Sequence, residues 1–281
     1  MKKFVILALA MLLALSFAAC GNGGNAASGS DVSAPATDAP STDSDVTVTD
    51  EPAPAVTTVE AGKLHMSTNA SFPPYEMTTD DGGFEGIDVE IASAVAAKLG
   101  LELVVDDMGF DAALISAQNG QSDMVMAGVS VTEARLEVMD FSETYAIGVQ
   151  VIIVKDGSPI ETVDDLADAA MIGTQKATTG YIYCSGDYGE DHVTAYENGA
   201  TAVMALLNDQ VDCVVIDNMP AQEFVANNPG LKILDTAYAE EEYAIGFAKG
   251  NTQLVDAVNA ALAELRAEGT IDAIIEKYIH N

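Results

Sequence analysis

Short apolar runs that alternate with amphipathic stretches constrain this chain more than any other feature of its sequence. Ile87, Ile91, Val95 and Leu99 recur every four residues and stop at Gly100, which predicts a helix with one buried face. Strands are predicted over 64–68, 101–105, 170–174, 193–196 and 211–216. Further helices are predicted over 110–118, from 178 onward, and over 200–207, 220–226, 252–267 and 271–279. The segment NASFPPYEM, 69–77, reads as a loop and 80–83 as a turn. Strands and helices in this alternation imply a parallel sheet covered on both faces. Two long β-rich runs, YAIGVQVIIVK (145–155) and YAIGFAK (243–249), flank a second alternating block. A chain that crosses into a second lobe and returns would read this way. The expected fold is α/β with two lobes, the first from 61–147 and 244–281, the second from 148–243.

Ahead of this block the composition changes. Lys2 and Lys3 precede an apolar run, Phe4 to Ala19, that is short for a membrane span. It ends in Phe17-Ala18-Ala19-Cys20, and small residues before a Cys resemble the lipobox of bacterial lipoproteins, although Phe17 stands where Leu is usual. Residues 1–20 are therefore expected to be a lipoprotein signal peptide, with Cys20 the lipidated residue; cleavage after Ala19, leaving a free thiol, is the alternative. Residues 21–60 are rich in Gly, Asn, Ala, Ser, Asp, Pro and Thr without apolar period, which predicts a flexible linker. Anchor and linker together imply a domain held on the extracytoplasmic side of the cell membrane.

The formal net charge is −33, and Arg135 and Arg266 are the only arginines. Nucleic-acid binding is excluded for want of a basic patch, and such acidity is read as a solvated surface. His65, His192 and His280 lie far apart without ligand spacing, so no metal site is expected. Cys184 and Cys213 could pair outside the cytoplasm, but a helix and a strand position would have to align by chance.

Within the alternating block, GVSVTEAR (128–135) follows an apolar run that reads as the end of a buried strand. Gly128 lets the backbone approach another group, and Thr132 has the chemistry of a helix N-cap. Arg135 then falls in the first helical turn, where the helix end already carries partial positive charge. An anion between the two reconciles them; surface pairing with Glu133 or Glu137 is the alternative. Two more junctions have a strand, polar residues and a helix start: Gln175-Lys176-Ala177-Thr178-Thr179-Gly180, and Asp217-Asn218. Ligands of open α/β sheets collect at such strand ends. A cleft between the lobes would set Arg135 opposite Asp217, which fits a zwitterion with its charges close together.

With GFEGIDVEIASAVAAKLG (83–100), MAGVSVTEAR (126–135), MDFSETY (139–145), TQKATTG (174–180) and VDCVVIDNMPA (211–221), residues 63–280 resemble the family 3 extracellular solute-binding proteins, the amino-acid receptors of ABC importers. The resemblance implies a type II periplasmic-binding-protein fold, a Venus flytrap that closes on an amino acid. It implies no enzyme activity, no cofactor, and a monomer that docks with the importer's membrane subunits. Arg135 would hold the ligand α-carboxylate, helped by backbone and hydroxyl groups around Val129, Ser130 and Thr178 or Thr179. Asp217 and the Gly128 carbonyl would take the α-ammonium. Phe72 and Phe110 would sandwich the ligand, with Asn69, Tyr75 and Gln175 facing its side chain. Without the resemblance, the two Phe residues read as core, Asp217 or Asn218 as a cap for the helix that Pro220 helps start, and Thr178 or Thr179 as an N-cap. Asn69 stands where relatives that read basic side chains carry an acid, so a neutral polar amino acid is expected, although Glu76 and Asp111 are close in sequence. Ala177 replaces a frequent Gly. The rival functions are a dehydratase on the same fold with Glu76 as its acid, and a receptor that signals instead of feeding an importer.

Overall fold

The computed structural model describes residues 56–168 and 171–279; the leader, Cys20 and nearly all of the expected linker lie outside them. The first element among the described residues is β1 (Lys63–Thr68), followed by a small antiparallel meander of β2 (Ser71–Phe72), β3 (Glu76–Thr78) and β4 (Phe84–Glu85). Then come α1 (Ile87–Lys98), β5 (Glu102–Asp107), α2 (Phe110–Gln118), β6 (Met124–Val125), α3 (Glu133–Val138) and β7 (Met139–Phe141). The long strand β8 (Ala146–Lys155) carries the chain into a second sheet. That sheet region holds β9 (Ile172–Gln175), α4 (Thr179–Tyr188), β10 (Val193–Tyr196), α5 (Gly199–Leu207), β11 (Cys213–Asp217), α6 (Asn218–Asn227), β12 (Leu231–Ile233) and β13 (Ala239–Tyr243). Strand β14 (Gly246–Ala248) returns to the first sheet, and α7 (Thr252–Ala267) and α8 (Thr270–Tyr278) follow.

The first sheet has the order β5-β1-β6-β14-β7; the second runs β10-β9-β11-β8-β12, with β13 also paired to β8. In each, the strands joined through helices are parallel, as β1 with β5 and β9 with β10 and β11. The strands that connect the sheets enter antiparallel, β14 on β6 and β8 on β11. Both faces of each sheet are covered, which is why its strands read as nearly unbroken apolar runs. In β8, Val151 and Ile153 join one core with Leu206 of α5, while Ile152 and Val154 join another with Leu166. Likewise Met124 packs towards α1 and α7, and Val125 towards α2.

Two expectations need correction. Segment 69–77 is not all loop: it contributes β2 and β3, whose strands of two and three residues are too short to leave a periodic signal. The run 243–249 is not one strand. β13 ends at Tyr243 and β14 starts at Gly246, because the chain changes sheet between them. Cys184 and Cys213 are free, buried in the same apolar cluster as small hydrophobes.

Candidate functional site

The polar ends of β6, β9 and β11 point their following residues at one another across the gap between the sheets. On the first lobe the chain turns at Gly128, with a left-handed φ of 55°. A Cβ there would sit 3.0 Å from Phe72 Cε1 and 3.1 Å from Tyr243 Cε2, so space as well as backbone conformation calls for glycine. Thr132 caps α3, its hydroxyl accepting from the Arg135 N–H at 3.2 Å. The Arg135 side chain turns inward and is 8% exposed. Its Nη1 donates to the Ser130 carbonyl at 2.7 Å and its Nη2 to the Ala177 carbonyl at 3.1 Å. The guanidinium also lies 5.6 Å from the centre of the Phe110 ring. Bound in this way, it is turned away from the surface pairing with Glu133 or Glu137. Burial lowers its pKa, an effect that nearby Glu241 opposes.

On the second lobe β9 delivers Gln175, after which Ala177 adopts a left-handed φ of 62°. For a residue with a Cβ this costs about 1–2 kcal/mol, and the strained peptide is the one whose carbonyl Arg135 uses. Thr178 caps α4, accepting from the Tyr181 N–H at 3.4 Å. Thr179 opens the helix and donates to Glu241 Oε2 at 2.8 Å. The same oxygen accepts from Gln150 Nε2 at 3.1 Å and from the Ser130 hydroxyl at 3.2 Å. Asp217 caps α6, accepting from the Met219 N–H at 3.1 Å. Its other oxygen takes the Val149 N–H at 2.9 Å and the Tyr243 hydroxyl at 2.7 Å. Asp217 is 1% exposed, and burial pushes its pKa up to about 6. It is both a helix cap and a wall of the cavity.

Between the lobes lies a nearly closed cavity of about 20 Å³. Asn69, Phe72, Phe110, Gly128, Ser130, Arg135, Gln175, Thr178, Thr179 and Asp217 all line it. Tyr75 and Val129, grouped with them from sequence, do not. The Tyr75 ring is spent on packing, 5.9 Å from Phe72 and 5.4 Å edge-on to Tyr243. Val129 is fully buried in the cluster under α2. Asn69 reaches the cavity with its amide already engaged. Its Oδ1 accepts from Gln175 Nε2 and the Ser71 hydroxyl, both at 3.0 Å, and its Nδ2 donates to the Met108 carbonyl at 2.9 Å.

Glu76, expected from sequence only near the pocket and as the rival enzyme's acid, lines the cavity, as do Ala127, Gln150, Ile216 and Tyr243, which were not expected there. Glu76 is 1% exposed, and neither carboxyl oxygen has a hydrogen-bond partner among the described residues. Gln175 Oε1 is in the same position. Glu241, beside the cavity, could have been found from the alternation that puts it on the same strand face as Tyr243, a signal hidden by its exposed neighbours Glu240 and Glu242.

A two-lobed α/β fold with a polar cleft at its strand ends, holding a buried guanidinium and a buried carboxylate, defines a small-molecule binding protein. The chain belongs to the bacterial extracellular solute-binding proteins, family 3, whose family model matches residues 64–281. It is 30% identical to a probable histidine-binding protein of Neisseria gonorrhoeae over 284 residues, covering 99% of this chain and 96% of that one. Among solved structures it is similar to an ancestral arginine-binding protein bound to arginine, at 36% identity and a TM-score of 0.73, covering 78% of this chain and 98% of that one. An ancestral arginine-binding protein bound to glutamine matches at 34% identity and a TM-score of 0.74, covering 79% and 100%.

Proposed function

We propose that this protein captures a basic amino acid, of which L-arginine is the type, between its two lobes and delivers it to an ABC importer. Arg135 takes the α-carboxylate, with Ser130 and Thr179 beside it, and Asp217 takes the α-ammonium. Phe72 and Phe110 flank the ligand. One observation carries the side-chain assignment. Glu76 and Gln175 present three buried acceptor oxygens without a donor, and a guanidinium brings five N–H donors and a positive charge. Asn69, which is uncharged, favours the second reading, a neutral polar side chain such as that of glutamine; with Glu76 protonated, an amide could exchange hydrogen bonds with it. Relatives bearing histidine and arginine names, and one bound to glutamine, are compatible with either.

The experiment is binding to refolded, ligand-stripped protein. Melting temperature is measured against the twenty amino acids and cystine, because a ligand that binds only the native state raises it by mass action. Calorimetry on Glu76→Gln follows. Loss of arginine binding by about 2–5 kcal/mol, with glutamine binding kept, is the expected result. Equal effects on both amino acids would return the reading to a neutral side chain. Recovery of the bound amino acid chemically unchanged separates the receptor from the dehydratase. Attachment through Cys20, a linker over 21–60, a monomeric state and docking on importer membrane subunits complete the proposal, with signalling in place of transport as its rival.

A further inference from the structure

Asp88, the second residue of α1, does not line the cavity, but it sits against the segment that carries Glu76, which does. It is fully buried. Its Oδ2 accepts from the Gly128 N–H at 2.9 Å and from the Tyr145 hydroxyl at 2.8 Å. Its Oδ1, like both oxygens of Glu76, has no donor among the described residues, and the Asp88 N–H donates at 2.9 Å to the carbonyl of Tyr75, the residue before Glu76, which sets the two buried carboxyls side by side. Two ionised carboxylates side by side in a buried site repel; one shared proton converts the repulsion into a hydrogen bond. Asp88 is the better anion, with two donors already on Oδ2 and the positive end of α1 beneath it. Glu76 therefore carries the proton and donates it to Asp88 Oδ1.

The surroundings press the same way. Burial pushes both carboxyls upward in pKa, and Asp107 at the end of β5 adds negative charge at Glu76. Tyr75 and Tyr145 face the pair as neutral phenols, and Asp217 lies beyond Tyr75. No Lys, Arg or His among the described residues forms an ion pair with either carboxyl.

We propose that Glu76 and Asp88 hold one proton between them in the absence of ligand and exchange it for the cationic side chain of the ligand, so that capture of a basic amino acid releases a proton and capture of a neutral one does not. Asp88 is then a positioning residue that sets the charge state of Glu76 without touching the ligand. The charges balance. The pair with its proton carries one negative charge; after the Glu76 O–H proton leaves to water, two carboxylates and one guanidinium or ammonium again sum to one. The inference rests on the basic-ligand reading above.

Two measurements test it separately from that reading. The first is the infrared spectrum of the ligand-free protein near neutral pH. The carbonyl stretch of a protonated carboxylic acid is expected, absent from Glu76→Gln. Its absence from the wild type overturns the proposal whatever the ligand. The second is calorimetry with L-arginine and with L-glutamine in buffers of different ionisation enthalpy. About one proton released per arginine, and none per glutamine if it binds, is the expected count. Arginine bound without proton release overturns the exchange and leaves the basic-ligand reading standing; no arginine binding at all removes both. Asp88→Asn keeps an acceptor for Gly128 and Tyr145 and gives Glu76 a donor in place of its acceptor. It is expected to lose the infrared band and the proton release, and retention of both overturns the role of Asp88.

Discussion

Arg135 enters its site with two of its donors already committed to carbonyls. Truncation removes the only guanidinium that lines the cavity among the described residues. Arg135→Ala is expected to weaken amino-acid binding by about 2–5 kcal/mol, roughly 30- to several-thousand-fold; an unchanged Kd by calorimetry would take the carboxylate away from Arg135. Asp217 makes a prediction in pH. Its carboxyl holds a proton more tightly folded than unfolded, since burial raises its pKa from 3.8 to about 6. In ligand-free protein its contribution to stability is therefore greatest below the unfolded value. That contribution, on the order of 3 kcal/mol, is lost as pH rises through about 6. Ligand binding runs the other way, because an ammonium needs the ionised form. Affinity is expected to fall about tenfold per unit below pH ~6 from this group, and that part of the slope should vanish in Asp217→Asn. A pH profile identical in the two proteins would refute the ion pair.

At the scale of elements, β8 and β13 bring the crossing between the sheets and the site into one packing arrangement. Gly148 on β8 faces Tyr243 on β13, and a Cβ at 148 would lie 2.5 Å from the ring Cζ and 2.6 Å from the hydroxyl. That hydroxyl is the donor to Asp217. Gly148→Ala is expected to cost about 1–3 kcal/mol by overpacking, visible as a lower melting temperature, and to weaken ligand binding by displacing Tyr243. A variant that melts lower yet binds normally would show that this packing is structural alone. The longer elements were legible because their periods survive averaging over several turns: α2 and α7 fall on their predicted bounds, 110–118 and 252–267. The meander was not legible, since its strands are too short to repeat, and neither was β13, whose AEEEY composition argues against a strand. The same limit hid part of the site. Junction residues such as Arg135 and Asp217 announce themselves by breaking local rules. Glu76 sits in a segment read as loop, and Gln150 lies in the middle of an otherwise apolar strand; tertiary packing alone aims them at the cavity.

For the whole molecule, the two lobes meet through polar links that differ in kind. Gln175 donates to Asn69, Lys176 pairs with Asp111 at 2.8 Å, and Glu241 gathers Ser130 with Thr179. The exposed ion pair contributes about 0–1 kcal/mol, so closure relies on the buried links and on the ligand. Arg135 is unlike the others, because one of its carbonyls, Ser130, belongs to its own lobe and the other, Ala177, to the opposite one. Opening the lobes takes half of that cradle away. On the proposed function, an incoming solute would meet an unfinished anion site, dock on one lobe, and be trapped when the second arrives. In rapid mixing, the observed rate should rise with concentration and then level off at the rate of closure. A rate that stayed linear to the highest concentrations would mean that the site is complete before the ligand comes.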